Sequence, residues 1–212
     1  MTENVYLFVP NLIGYARIIL MFVSFYYMAT DVWTATITYL LSQFLDAFDG
    51  HAARALNQCT KFGAVLDMVT DRCSTMGLLI VLASFYPKYQ FFFIFVTVLD
   101  IASHWVQVYS NLSLGQSHKA VKESGNWFLR LYYTSRPVLF TMCAGNELFF
   151  AMLYVMHFTT GPIVFGTYGV VHVIAMACFP ISFTKNAINI IQLVGGFDAL
   201  AELDVEARQK AE

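Results

Sequence analysis

Four aspartates recur at helical spacing in one run of the chain: Asp46-x2-Asp49-Gly50-x2-Ala53-Arg54-x8-Gly63-x3-Asp67-x3-Asp71. The stretches that carry them are otherwise built for lipid. A carboxylate at membrane depth costs about 2.5–3.5 kcal/mol even on lenient insertion scales, so four together need compensating positive charge. A packing role would require a cation for each, and only Arg54 and Arg72 are near. A divalent metal site is the more economical explanation. Four carboxylates balance two Mg²⁺ or Mn²⁺ ions in charge, and all-oxygen ligation favours these hard cations over zinc. Two such ions about 3.5–4 Å apart clamp a diphosphate and stabilise both its attacking and leaving oxygens.

The elements that position these residues are membrane helices. Of 212 residues 58% are hydrophobic and only 12% charged, with a mean hydropathy of +0.60. Soluble domains carry about 25% charged residues, so this composition describes an integral membrane protein. Met1 to Pro10 has no basic n-region and no small-residue cleavage site. The first span is therefore expected to serve as an uncleaved targeting signal. Cys59, Cys73, Cys143 and Cys178 form neither a C-x-x-C nor a Cys/His zinc pattern and read as reduced thiols packed as small apolar groups.

Hydropathy and turn signals predict an all-α integral membrane protein with six transmembrane helices, near 12–28, 33–56, 60–85, 91–112, 133–157 and 163–193. Pro180 is expected to kink the last, and Gly195-Gly196 to end it before a charged tail at 199–212 that forms a short surface helix. The chain reads as a single domain over 1–212, with residues 1–10 juxtamembrane, 11–195 the membrane domain and 196–212 the tail. Eleven of the twelve lysines and arginines fall toward the side of the termini, and only Lys88 toward the other. The positive-inside rule then puts both termini, the 57–60 turn and the 113–126 loop in the cytosol.

At about 100° per residue, Asp46, Asp49, Gly50, Ala53 and Arg54 share one face of the second helix, and Gly63, Asp67 and Asp71 one face of the third. The two helices join near Cys59. Asp49 lies ten residues before that joint and Asp67 eight after; Asp46 lies thirteen before and Asp71 twelve after. Antiparallel neighbours bring each pair to nearly the same depth, so the four carboxylates converge. Gly50, Ala53 and Gly63 leave room for something large against the backbone. Arg54 lies above the carboxylates, toward water, where a fixed guanidinium suits a phosphate oxygen. Thr60 reads equally as an N-cap and as a substrate contact.

These residues resemble the signature of the CDP-alcohol phosphotransferase family, D-x2-D-G-x2-A-R-x8-G-x3-D-x3-D, at all eight fixed positions. The segments Asn11-Leu-Ile-Gly-Tyr-Ala-Arg17, Ser117-His-Lys119 and Tyr132-Tyr-Thr-Ser-Arg-Pro137 are similar to the eukaryotic branch that joins CDP-diacylglycerol to myo-inositol, giving phosphatidylinositol and CMP. The resemblance implies that Asp46, Asp49 and Asp67 hold one divalent cation and Asp46, Asp67 and Asp71 a second. It implies that Asp71 is the general base, and that the nucleotide lies against Gly50, Ala53, Arg54, Thr60 and Gly63. It also implies a homodimer in the endoplasmic reticulum membrane. The run Gly161, Gly166 and Gly169 lends the dimer weak support.

Inositol is neutral and rich in hydroxyls, so its pocket needs hydrogen-bonding groups beside Asp71. His104, Lys119, Arg130 and Arg136 are the candidates, with Ser103, His118, Asn126 and Ser135 behind them. Basic residues at membrane borders also snorkel to lipid phosphates. Two other functions stay open. One is the same transfer to glycerol 3-phosphate, serine or phosphatidylglycerol; the other is cation transport, since intramembrane carboxylates also line ion paths. Against transport, the half of the chain away from the termini carries little charge besides Asp31, Lys88 and Glu147.

Overall fold

The structure, a computed structural model, describes residues 4–113 and 134–210. Among these residues a 3-10 turn at Val5–Leu7 is followed by six α-helices: α1 (Val9–Tyr27), α2 (Val32–Ala55), α3 (Lys61–Phe85), α4 (Gln90–Ser113), α5 (Arg136–Phe158) and α6 (Val170–Gln209). A small antiparallel hairpin, β1 (Ile163–Phe165) and β2 (Tyr168–Gly169), sits between α5 and α6. α1 packs along α2 and touches α3, α4 lies against α3 and α6, and α5 packs on α6.

This is an all-α membrane protein. α1, α4, α5 and α6 are each long and apolar enough to cross a membrane. α2 and α3 have 24 and 25 residues, similar in length, but carry the acidic run. The outward faces present Phe22, Phe44, Phe91 and Phe183, while Asn11, Arg17, Asp49, Asp100, Lys185 and Asn189 are buried inside. Polar groups buried among apolar-faced helices must satisfy one another, because lipid cannot.

The two ends of the bundle differ. Around the α1–α2, α3–α4 and α5–α6 connections lies the apolar core, with Met28, Ala35, Tyr39, Leu78, Leu82, Phe93, Phe150 and Val155. Two tyrosines lock its connections: the Tyr154 hydroxyl donates to the Met28 carbonyl at 2.9 Å and Tyr86 to the Leu153 carbonyl at 2.9 Å. Asp31 caps α2 by accepting from the backbone N–H of Trp33 and Thr34, and the Thr34 hydroxyl and N–H hold its carboxyl below the ordinary range. The opposite end carries the polar residues of the acidic run.

Both boundaries of α6 differ from the sequence expectation. α6 runs unbroken for 40 residues through Pro180 and Gly195-Gly196, so residues 199–209 of the expected surface helix are its continuation. A Cβ on Gly196 would come within 2.7 Å of Val106 on α4. The glycine there serves close helix packing, not helix ending. α6 starts at Val170 because the chain first turns through the hairpin, with Gly161 and Gly166 at φ 69° and 58°. The Gly161, Gly166, Gly169 run is thus explained by this connection and lends no support to a dimer. At about 1.5 Å per residue α6 is about 60 Å long, twice a bilayer's apolar core, so its last turns lie outside it.

Candidate active site

A tight connection sets the register of the two acidic helices. α2 ends at Ala55, and Asn57 follows at φ 56°, a left-handed position that asparagine tolerates. The Gln58 N–H returns to the Ala53 carbonyl at 2.8 Å, and the Gln58 side chain accepts from the Val9 N–H at 3.0 Å, tying the turn to the start of α1. Thr60 caps α3, its hydroxyl accepting from the Gly63 N–H at 3.0 Å. A Cβ on Gly63 would meet Asn11 Oδ1 at 2.8 Å. The space Gly63 leaves is therefore taken by Asn11 of α1, and this close approach draws α1 into the acidic face.

One residue follows from that approach. Arg17 is fully buried, and its guanidinium reaches all four aspartates. Nη1 lies 2.7 Å from Asp46 Oδ1, 2.7 Å from Asp49 Oδ2 and 2.8 Å from Asp67 Oδ1; Nη2 donates to Asp71 Oδ1. Its backbone carbonyl accepts from the buried Ser42 hydroxyl at 3.0 Å. The sequence reading found only Arg54 and Arg72 near the carboxylates. That is corrected here: Arg17, on a helix outside the acidic run, pairs with all four. Its signal was present, since an arginine inside an apolar span demands a partner as much as an aspartate does.

The convergence expected from helical spacing is observed. One oxygen each from Asp46, Asp49 and Asp67 lies within 4.8 Å of the others, an arrangement that can hold a metal ion. All three converge on a single positive atom, Nη1 of Arg17. Four carboxylates gather on the Arg17 guanidinium, with Arg72, shared with Asp100, 3.7 Å from Asp71; the carboxylates stay in excess, and the donors are oxygens only. The residues therefore fit hard divalent cations. The Asp46 and Asp67 side chains are 39% and 46% exposed, so the cluster is open to arriving ligands on that side.

The cluster lies between two cavities. The first, about 200 Å³, is lined by Asn11, Asp49, Gly50, Ala53, Arg54, Thr60, Gly63 and Asp67 among others. Every residue expected against the nucleotide is there. A Cβ on Gly50 would lie 3.3 Å from Arg54 Nη1, so the guanidinium is folded over that glycine at the cavity wall. Thr60 both caps α3 and lines the cavity. The second cavity, about 300 Å³, lies on the other side of Asp46 and Asp71, between α2, α3, α5 and α6, with Gln43, Thr75, Asn146, Glu147 and Lys185 on its walls.

The acceptor candidates fare differently. His104 Nδ1 lies 2.7 Å from the Asp100 carbonyl, and His104 is not among the residues lining the second cavity. Lys119 and Arg130 lie outside the described residues, as does the side chain of Arg136, which begins α5. Beside His104, Asp100 forms a second polar centre. It accepts from Arg72 at 2.6 and 2.7 Å, from Lys185 at 2.9 Å and from Asn189 at 3.1 Å, joining α3, α4 and α6 behind the second cavity.

A sequence profile of CDP-alcohol phosphatidyltransferases matches residues 7–180, which take in the whole aspartate cluster, the first cavity and the lining of the second except Lys185. The chain belongs to the CDP-alcohol phosphatidyltransferase family. Its relatives include the CDP-diacylglycerol–inositol 3-phosphatidyltransferase of Homo sapiens, 54% identical over 209 residues that cover 98% of each chain. The enzyme of that name from Schizosaccharomyces pombe is 47% identical over 98% of this chain and 94% of its own. That from Saccharomyces cerevisiae is 43% identical over 96% and 90%. No solved structure matches the chain.

For a CDP-alcohol phosphatidyltransferase built this way, Asp46 faces both Arg17 and the second cavity. Asp46→Ala should lose divalent binding and activity together. Manganese titration read by electron paramagnetic resonance checks this; wild-type Mn²⁺ affinity in the variant would contradict the ligand assignment.

Proposed function

We propose that this chain transfers the phosphatidyl group of CDP-diacylglycerol to myo-inositol, releasing phosphatidylinositol and CMP. The observation that carries the reading is the tetracarboxylate cluster between two cavities, in a chain 43–54% identical to enzymes named for this transfer. The first cavity takes the nucleotide, with Arg54 over Gly50 receiving a phosphate oxygen. The second takes the acceptor alcohol beside Asp71.

Asp46, Asp49, Asp67 and Asp71 are the residues that would hold two divalent cations, Mg²⁺ or Mn²⁺. When bound, these supply charge stabilisation for the diphosphate and for the departing CMP. The chain's own groups do the rest. Asp71, at the boundary of the second cavity, takes the proton of an inositol hydroxyl as that oxygen attacks the β-phosphorus. The bond from that phosphorus to the CMP oxygen breaks, and CMP leaves with the electron pair. Arg17 keeps the four carboxylates gathered while substrates come and go. Arg54 holds the nucleotide phosphate so that the leaving oxygen lies away from the acceptor.

The skew of lysine and arginine supports an active face, and both termini, turned to the cytosol, with all six helices spanning the membrane. The likeness to the eukaryotic branch supports residence in the endoplasmic reticulum, and the habit of the family a homodimer. The reading is tested by an acceptor panel. Purified full-length chain with radiolabelled CDP-diacylglycerol is offered myo-inositol, glycerol 3-phosphate, serine or phosphatidylglycerol. Myo-inositol is expected to give the highest kcat/KM, by about 10²-fold or more. Turnover with another alcohol and none with myo-inositol would overturn the acceptor assignment.

A further inference from the structure

Glu147 is a carboxylate that no step above uses. It lies eleven residues into α5 from Arg136, deep within the bundle, and lines the second cavity together with Asp71. Sequence reading grouped it with the sparse charges remote from the site. Its surroundings differ from that. Oε1 accepts from the Thr75 hydroxyl at 2.7 Å and Oε2 from the Tyr39 hydroxyl at 2.6 Å. Thr75 lies one turn along α3 from Asp71, and Tyr39 two turns along α2 from Asp46. The carboxylate is thus fixed to both acidic helices by two buried hydroxyls, and each oxygen keeps lone pairs for a further donor.

Gln43, one turn from Asp46 and one turn from Tyr39, lines the same cavity. Its Nε2 is buried without a hydrogen-bond partner among the described residues. An unspent amide donor buried beside a cavity is satisfied when rotation of the side chain turns it toward a ligand's acceptor oxygen. The cavity's two cations are both engaged by carboxylates: Arg72 and Lys185 are hydrogen-bonded to Asp100, and Arg72 Nη2 also lies 3.7 Å from Asp71 Oδ2. The remaining charged groups on the wall are Asp46, Asp71 and Glu147, all acidic.

We propose that Glu147 and Gln43 form the specificity-determining pair of this cavity, selecting a neutral polyhydroxy acceptor and rejecting one that carries phosphate or carboxylate. This rests on the second cavity being the acceptor's. Hydroxyls of the acceptor donate to Glu147, and one of its oxygens accepts from Gln43 Nε2. An anionic acceptor would meet Glu147 as a like charge in a water-poor space, where such repulsion is strong.

The test is Glu147→Gln in the full-length enzyme, with Gln43→Leu as a second variant. Acceptors are myo-inositol, inositol 1-phosphate and glycerol 3-phosphate, with melting temperature and the KM for CDP-diacylglycerol measured alongside. Glu147→Gln should raise the KM for myo-inositol about tenfold or more, change kcat less, and shift the ratio of phosphorylated to neutral acceptor use about 10²-fold toward the phosphorylated one. Gln43→Leu should raise the KM for myo-inositol without that shift. A folded Glu147→Gln enzyme with unchanged acceptor ranking overturns the proposal. So does a loss confined to melting temperature and CDP-diacylglycerol affinity, which marks a structural role. Should Glu147→Gln not fold, an unchanged myo-inositol KM in Gln43→Leu overturns it. Wild-type enzyme that ignores myo-inositol but uses another neutral alcohol would fail the proposed function and leave this pair standing, since its effect is read on the ratio of phosphorylated to neutral acceptor.

Discussion

Asp71→Asn should cut turnover by about 10²–10⁴-fold, the usual contribution of a positioned general base, while CDP-diacylglycerol still binds. Asparagine keeps the shape of the side chain and an oxygen that accepts from Arg17 Nη2, but neither charge nor proton acceptance. The nucleotide cavity does not include Asp71, so its walls remain as they are. The separation of the two effects is the point of the variant. Single-turnover rates and CDP-diacylglycerol affinity measured on the same preparation check it. Affinity within a few-fold of wild type beside a collapsed rate is expected; turnover within tenfold of wild type would remove Asp71 from the chemistry.

Arg17→Met should be the most destabilising substitution at the site. Arg17 is fully buried, within hydrogen-bonding distance of Asp49, Asp67 and Asp71 and paired with Asp46. Removing one partner of a buried ionic group strands the others, at a cost of about 3–5 kcal/mol. That corresponds to a fall in melting temperature of roughly 6–20 °C for a domain of this size, measured with chelator present. Divalent cation should recover part of it, because it supplies the positive charge that methionine lacks. Arg17→Lys should fall between the two, keeping the charge but not the two-pronged reach to Asp67 and Asp71. A melting temperature unchanged in chelator would show that the carboxylates hold together without Arg17.

Much of this site was legible in the sequence because it lies on two consecutive helices with a short joint. Helical spacing brought Asp46, Asp49, Asp67 and Asp71 to one place and Gly50, Ala53, Arg54 and Gly63 to the face beside them, while the family resemblance added Thr60. What escaped comes from elements distant in sequence. Arg17 enters from α1 through the approach of Asn11 to Gly63, and no local pattern encodes that approach. Glu147 comes from α5, 76 residues beyond Asp71, and looks like an isolated charge until α2, α3 and α5 are packed together. The Gly195-Gly196 pair misled for a related reason. Glycine ends helices in water, but between packed membrane helices it allows close contact, as Gly196 does with Val106. His104, a candidate for the acceptor pocket in the sequence, lies instead against Asp100, in the centre that Asp100 forms with Arg72 and Lys185.

The most direct measurement follows the β-phosphorus. Purified full-length enzyme is given CDP-diacylglycerol labelled at that atom, myo-inositol and Mg²⁺ or Mn²⁺, and the products are separated. The account predicts the label in phosphatidylinositol, one unlabelled CMP for each lipid formed, and no product in excess chelator. Label recovered in phosphatidate, or transfer that continues at full rate in chelator, would contradict it.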